Sequence, residues 1–141
     1  MAIRGAEVFT IGYEGRQPDE LIAMLRAHRV DRLIDVRERP SSRRKGFSKS
    51  ALRDALAAAG IDYVHVRAAG NPLRHRHDNR GDLLAAYAAH LDGVPEAVAE
   101  LAAAIDGHRA ALLCVERDPA SCHRSILAGR LRGRGVKIVD L

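Results

Sequence analysis

Ten consecutive residues, Glu116–Ser125 (ERDPASCHRS), hold two acids, a cysteine, a histidine and two arginines between two apolar runs, Ala110–Val115 and Ile126–Ala128. Cys122, His123 and Arg124 stand in or next to the first turn of an expected helix. Free backbone N–H groups and the helix dipole favour an anion there. A cysteine at such a place, near an arginine, is shifted toward the reactive thiolate. Arg124 offers a two-pronged fork for phosphate or carboxylate, and His123 a proton donor or acceptor near neutral pH. A second group, Asp35-Val36-Arg37, sets a carboxylate beside a guanidinium at the end of another apolar run, with Pro40-Ser41-Ser42-Arg43 soon after. The chemistry these types support is nucleophilic attack or proton transfer through Cys122, His123, Asp35 and Glu116, on an anion held by Arg37, Arg43 and Arg124.

Other residues in these stretches have plainer explanations. Asp118 with Pro119 at the first helical position, or Ser121, reads as an ordinary helix start. Cys114 lies inside an apolar run and reads as core; His75, His77 and His108 read as solvated loop residues. Cys114, Cys122, His123, Glu116 and Asp35 have metal-donor atoms, but their spacing matches no standard zinc pattern, so no metal is assigned and metal binding ranks below anion binding. No Gly-x-Gly-x-x-Gly or phosphate-loop lysine motif is present, so no cofactor is identified.

The elements that must carry these groups alternate. Strands are expected at Glu7–Tyr13, Arg32–Arg37, Ile61–Val66, Ala110–Val115 and Val136–Val139, from short β-branched or apolar runs. Helices are expected at Pro18–Arg29, Lys49–Ala59, Asp82–Leu91, Pro95–Ile105 and Pro119–Arg132, from apolar residues at helical spacing and from proline and glycine boundaries. Gly70–Gly81 reads as a polar loop. The pattern implies a single three-layer α/β domain over residues 1–141, with a mainly parallel five-stranded sheet between helices on both faces. The best strand order is 3-2-1-4-5. In such sheets ligands bind beyond the carboxyl ends of the strands. The segments starting at Gly12, Asp35, Gly70 and Glu116 all follow strands, so the chemical residues collect on that one edge.

The chain's 141 residues are 47% hydrophobic, enough for one core, and no stretch approaches the ~20 apolar residues of a membrane span. The opening MAIRGAEVFTIGY lacks the apolar core and cleavage site of a signal peptide, so a cytoplasmic setting, away from membranes and with Cys114 and Cys122 as thiols, is expected. Net charge is +5, with arginine outnumbering lysine twenty to three. The window Arg37–Lys49 alone carries a net +5, and Arg67–Arg80 adds Arg67, Arg74, Arg76, Arg80, His75 and His77 against Asp78. Local basic patches in a near-neutral remainder point to an anionic partner.

The blocks TIGYEGR, LIDVRERPSSRRKGFSK, GIDYVHV, AAGNP, LLCVERDPASCHRSILAGRL and VKIVDL resemble, in that order, the domain-of-unknown-function 488 family. The resemblance implies a compact α/β protein without an established reaction. Its motifs imply a site of Thr10, Gly12, Tyr13, Arg16, Asp35, Arg37, Pro40, Ser41, Arg43, Phe47, Cys114, Glu116, Cys122, His123 and Arg124. Two places depart from the pattern: Ala69-Gly70 stands where relatives often have leucine-glycine, and Asp140 where they often have a histidine. The Asp-Val-Arg strand end is similar to rhodanese-type sulfur-transfer domains, but Cys-His-Arg is not their cysteine loop.

Three readings of function follow. The leading one is an anion site of phosphate or nucleotide type at the carboxyl edge, with catalysis through Cys122 or His123 left open. The second is a non-catalytic nucleic-acid binding module that uses Arg37–Lys49 on the backbone; three Tyr, two Phe and no Trp leave little for base stacking. The third is an ion-pair network that ties strand ends together with no ligand. The partner is thus an anionic small molecule or nucleic acid.

Overall fold

The computed structural model describes residues 6–72 and 80–141. In chain order the elements are β1 (Glu7–Gly12), α1 (Pro18–Ala27), β2 (Arg32–Asp35), α2 (Lys49–Ala58), β3 (Asp62–His65), α3 (Arg80–Asp92), α4 (Pro95–Ile105), β4 (Ala110–Cys114), α5 (Arg124–Arg132) and β5 (Lys137–Asp140). Every expected strand and helix has its counterpart. Most of the expected loop Gly70–Gly81, with His75 and His77, lies outside the described residues. Among the described residues no helix is long and apolar enough to cross a membrane.

All five strands are parallel, in the order β3-β2-β4-β1-β5. The expected order 3-2-1-4-5 is therefore wrong in one respect: β1 and β4 exchange places. The reason is burial. Each residue of β4 (AALLC) is buried, which suits the middle of a sheet covered on both faces. β1 instead starts with the partly exposed Glu7, whose carboxylate lies 3.6 Å from the Lys137 ammonium of the edge strand β5.

Side-chain alternation along the strands divides the core in two. Phe9, Ile11, Leu33, Ala111 and Leu113 pack with Leu21 and Leu25 of α1 and Leu52 and Leu56 of α2. Val8, Ile34, Leu112 and Cys114 face the opposite way, toward Tyr87, Leu91, Leu101, Ile105, Leu127 and Leu131 of α3, α4 and α5. Fully burying a leucine of this kind stabilises by roughly 1.5–3 kcal/mol, so these two layers hold the strand ends in register.

The expected helix Pro119–Arg132 is broken. Pro119–Ser121 is a single 3-10 turn, with Asp118 as its cap, accepting from the Ala120 N–H at 3.0 Å. Cys122 is extended (φ −120°, ψ 146°), and α5 starts only at Arg124. The extended residue interrupts the helical hydrogen bonding and turns the Cys122 side chain back toward the end of β4.

Candidate functional site

β1 and β4 are neighbours whose onward connections part: β1 leads through α1 to β2 on one side, and β4 leads through α5 to β5 on the other. Such a reversal opens a crevice at the carboxyl ends. Two glycines let the backbones meet there. A Cβ on Gly12 would collide with the Glu116 carbonyl, and one on Gly70 with the backbone of Glu38. Gly12 thus closes the β1 end against the β4 loop by having no side chain.

A pocket of about 460 Å³ lies at this edge, lined by Tyr13, Arg37, Glu38, Arg39, Ser41, Ser42, Arg43, Asn71, Val115 and His123. Its inner wall is organised by a buried ion pair. Arg37 donates from Nε to Asp35 Oδ1 at 2.9 Å and from Nη2 to Oδ2 at 2.7 Å, and its backbone N–H donates to Oδ1 at 3.0 Å. Nη1 donates to the Phe47 carbonyl at 2.7 Å, and the Tyr63 hydroxyl donates to Asp35 Oδ2. Burial alone would lower the Arg37 pKa, but hydrogen bonding to Asp35 and its charge outweigh this and hold it above the ordinary value. The guanidinium also lies over the Tyr13 ring, 5.4 Å from its centroid, and that ring stacks on Phe47 at 4.5 Å. Arg39 and Arg43 are exposed at the rim.

The loop bearing those arginines is fastened down. Arg44 donates to the carbonyls of Tyr13 (2.9 Å) and Arg16 and covers the Phe47 ring. Ser48 accepts from the Ser42 N–H at 3.0 Å and donates to the Ser42 carbonyl at 3.2 Å. Pro40 accepts from the Lys49 N–H at 2.8 Å.

His123 forms the opposite wall. Its Nε2 lies 2.7 Å from the Val36 carbonyl, its Nδ1 lies 3.7 Å from Cys122 Sγ, and Tyr87 packs edge-on at 5.0 Å. A carbonyl only accepts, so Nε2 carries a proton. The Tyr87 hydroxyl is spent on the Ala69 carbonyl at 2.6 Å, and burial pushes its pKa up.

The remaining expected residues lie beneath or beside the pocket. Arg124 is fully buried and donates from Nη2 to the carbonyls of Glu116 and Arg117, both at 2.9 Å, while its Nε and Nη1 have no partner among the described residues. Burial lowers its pKa; Asp140 and Glu116 oppose this. Arg16 is also buried, donates to the Gly12 carbonyl at 2.9 Å, and is lowered first by burial and then by Arg117. Thr10 donates to Asp140, the position at which the family resemblance led one to look for histidine. The expectation of free thiols is not met: Cys114 and Cys122 are joined in a disulfide. That expectation weighed cellular setting alone. The geometry decides otherwise, because Cys114 ends β4 on the α5 side and the 3-10 turn returns the chain to it within eight residues.

Of the sequence-derived candidates, then, Tyr13, Arg37, Ser41, Arg43 and His123 line one pocket, with Asp35 directly behind Arg37. Glu116, Cys114, Cys122 and Arg124 form an adjoining buried cluster. Thr10 and Arg16 serve the β1 end. Tyr63, Arg39, Arg44 and Asn71 were not singled out. In the sequence Arg39 and Arg44 read only as charge, and Tyr63 as one residue of a strand pattern. His108, read as a solvated loop residue, pairs with Asp31 at 2.8 Å, away from this edge. Among the described residues, Cys114, Glu116 and Cys122 bring three possible metal-donor atoms within 4.8 Å of one another.

No curated protein and no solved structure matches this chain. The model of one family does, over residues 17–131, a span that takes in α1, the Asp35–Arg37 pair, the pocket loop and nearly all of α5. The chain belongs to the family described as domain of unknown function DUF488.

Proposed function

We propose that the chain binds a small phosphate-bearing anion in the pocket at the carboxyl edge. The observation that carries this reading is the lining itself: three arginines (Arg37, Arg39, Arg43), two serines and His123 against the single acid Glu38, in a space of about 460 Å³. That volume falls in the range of small-molecule sites, roughly 300–1,000 Å³. Arg37 supplies a guanidinium whose orientation Asp35 sets before any ligand arrives, so little ordering entropy is lost on binding. Arg39 and Arg43 add charge from the rim, and Ser41 and Ser42 add hydroxyls. His123 closes the pocket wall with its ring nitrogens turned to the protein, Nε2 to Val36 and Nδ1 to Cys122. Asp35 acts here as a positioning residue. The ion-pair network is thus the scaffold of the anion site rather than its rival.

Calorimetric titration with inorganic phosphate, a nucleoside diphosphate and a single-stranded oligonucleotide tests the reading. Arg39→Ala combined with Arg43→Ala removes two exposed charges and leaves the folded core intact. The affinity for the phosphate compounds should fall about tenfold or more, as expected for lost charge-assisted hydrogen bonds. Failure of the wild-type chain to bind phosphate or the diphosphate, or equal binding by the double variant, refutes it. Tight oligonucleotide binding with a steep salt dependence, and none of the small compounds, favours the nucleic-acid module instead.

A further inference from the structure

The cluster of Cys114, Glu116 and Cys122 adjoins the anion pocket but is independent of the reading given to it. Cys114 and Cys122 are each 1% exposed, and Glu116 is buried beside them. Glu116 Oε2 lies 3.8 Å from Cys114 Sγ, and His123 Nδ1 lies 3.7 Å from Cys122 Sγ. Two donor atoms sharing a tetrahedral zinc-class ion, with Zn–S about 2.3 Å and Zn–O or Zn–N about 2.0–2.2 Å, sit roughly 3.5 Å apart. The Glu116–Cys114 separation is close to that edge length, and the donor atoms of Cys114, Glu116 and Cys122 all lie within 4.8 Å of one another. The Cα atoms of the two cysteines are 7.3 Å apart, which leaves room for their sulfurs to separate by the about 3.7 Å that two sulfurs on one such ion require.

We propose that, once its disulfide is reduced, the pair Cys114 and Cys122 together with Glu116 forms a three-ligand site for a single zinc-class divalent cation. The oxidised chain is then the metal-free form. A dithiol reductant supplies the two electrons. One of its thiolates attacks a protein sulfur and breaks the S–S bond, and its second thiol displaces the mixed disulfide. The reductant leaves as its own disulfide and the protein holds two thiols. The cation then binds both sulfurs as thiolates and releases two protons.

Three features around the cluster suit this state. The Arg124 N–H points at Cys122 Sγ at 3.5 Å, a contact that favours the thiolate. Two thiolates and a carboxylate carry three negative charges in a buried place, and a divalent cation removes most of that cost. The Arg124 guanidinium, fully buried with two nitrogens unpartnered among the described residues, offsets the remaining charge. The sequence pattern is Cys-x-Glu-x5-Cys, too open to read as a zinc motif until the 3-10 turn folds it back.

Cobalt(II) titration of the full chain tests the site. The protein is reduced with dithiothreitol and freed of it under anaerobic conditions. One Co²⁺ per chain should bind, with sulfur-to-cobalt charge-transfer absorption and the visible bands of tetrahedral cobalt, and Zn²⁺ should bleach both. Cys122→Ala and Cys114→Ala should each lose most of the charge-transfer band. Glu116→Gln should keep the band but weaken binding about tenfold or more. Wild-type protein with its disulfide intact should show no band. Arg39→Ala with Arg43→Ala should bind Co²⁺ like the wild type, which separates this test from that of the anion pocket. No charge-transfer band in the reduced wild type, a band that survives both cysteine variants, or unchanged affinity in Glu116→Gln overturns the proposal. Should a cysteine variant fail to fold, Glu116→Gln and the oxidised wild type still decide.

Discussion

Replacing Asp35 by alanine should be among the most damaging single changes in this chain. The Asp35 carboxylate has no exposed surface and accepts from four donors: three on Arg37 and the Tyr63 hydroxyl. Arg37, the other half of the pair, is 2% exposed. Removing the acid leaves a nearly buried guanidinium without its counter-ion. Breaking a buried pair from one side costs about 3–5 kcal/mol, against a total stability of about 5–15 kcal/mol for a domain. Asp54→Ala is the control. Its pair with Arg53 spans 3.9 Å with both partners largely exposed, and losing it should cost under about 0.5 kcal/mol. Urea unfolding of both variants measures the difference. Pairing Asp35→Ala with Arg37→Met should recover part of the loss, because the stranded charge goes with its partner. If Asp35→Ala costs no more than Asp54→Ala, the buried pair is not what holds the strand end. The pre-set orientation of Arg37 in the pocket then loses its basis.

Gly12→Ala forces a methyl group into the Glu116 carbonyl and should cost about 3 kcal/mol or more, read as a lower urea midpoint or loss of the cooperative transition. Arg44→Ala removes the clasp on the carbonyls of Tyr13 and Arg16 and should cost about 2 kcal/mol, whereas the exposed Arg43→Ala should stay within about 0.5 kcal/mol in the same assay. Tyr63 and Tyr87 are held above the ordinary phenol value of 10.0, by burial first and, for Tyr63, by Asp35 as well. A raised folded pKa contributes stability that is complete below the unfolded value and is lost as pH rises above it. Unfolding free energy should therefore decline above about pH 10, by up to about 1.4 kcal/mol per pH unit for each tyrosine. Tyr63→Phe should make that decline shallower, and an unchanged slope would remove Tyr63 as a cause.

Much of the architecture is legible in the chain. Proline at Pro18 and Pro95 marks helix starts that the structure keeps, and α4 runs over the expected Pro95–Ile105. Four strands end one or two residues short of their expected bounds, leaving out Tyr13, Val36, Arg37, Ile61, Val66 and Val115, and β5 shifts by one residue to Lys137–Asp140. The gathering of Gly12, Asp35 and Glu116 on one edge follows from parallel topology alone. The burial of Arg124 does not. An arginine in a loop-to-helix segment normally reads as exposed, whereas here it is held below the surface by hydrogen bonds to the carbonyls of Glu116 and Arg117. Arg44 is a similar case: in the sequence it is one charge among six, and in the fold it is a cross-link.

Local, periodic features are written in the chain: which segments are strands or helices, that the sheet is parallel, and that its carboxyl edge carries the acids, arginines, cysteine and histidine. These follow from side-chain spacing and backbone preference within a few residues. Which of those residues meet is a matter of long-range packing. The order of β1 and β4, the Tyr63 hydroxyl on an aspartate 28 residues away, and the closure of Cys122 on Cys114 all depend on which buried surfaces fit together. The strands β1 and β4 are both short and apolar, and nothing in either names its neighbour. Packing on two faces and the charge at the start of β1 choose between them, and with that choice the Gly12–Glu116 approach and the pocket beside it are formed.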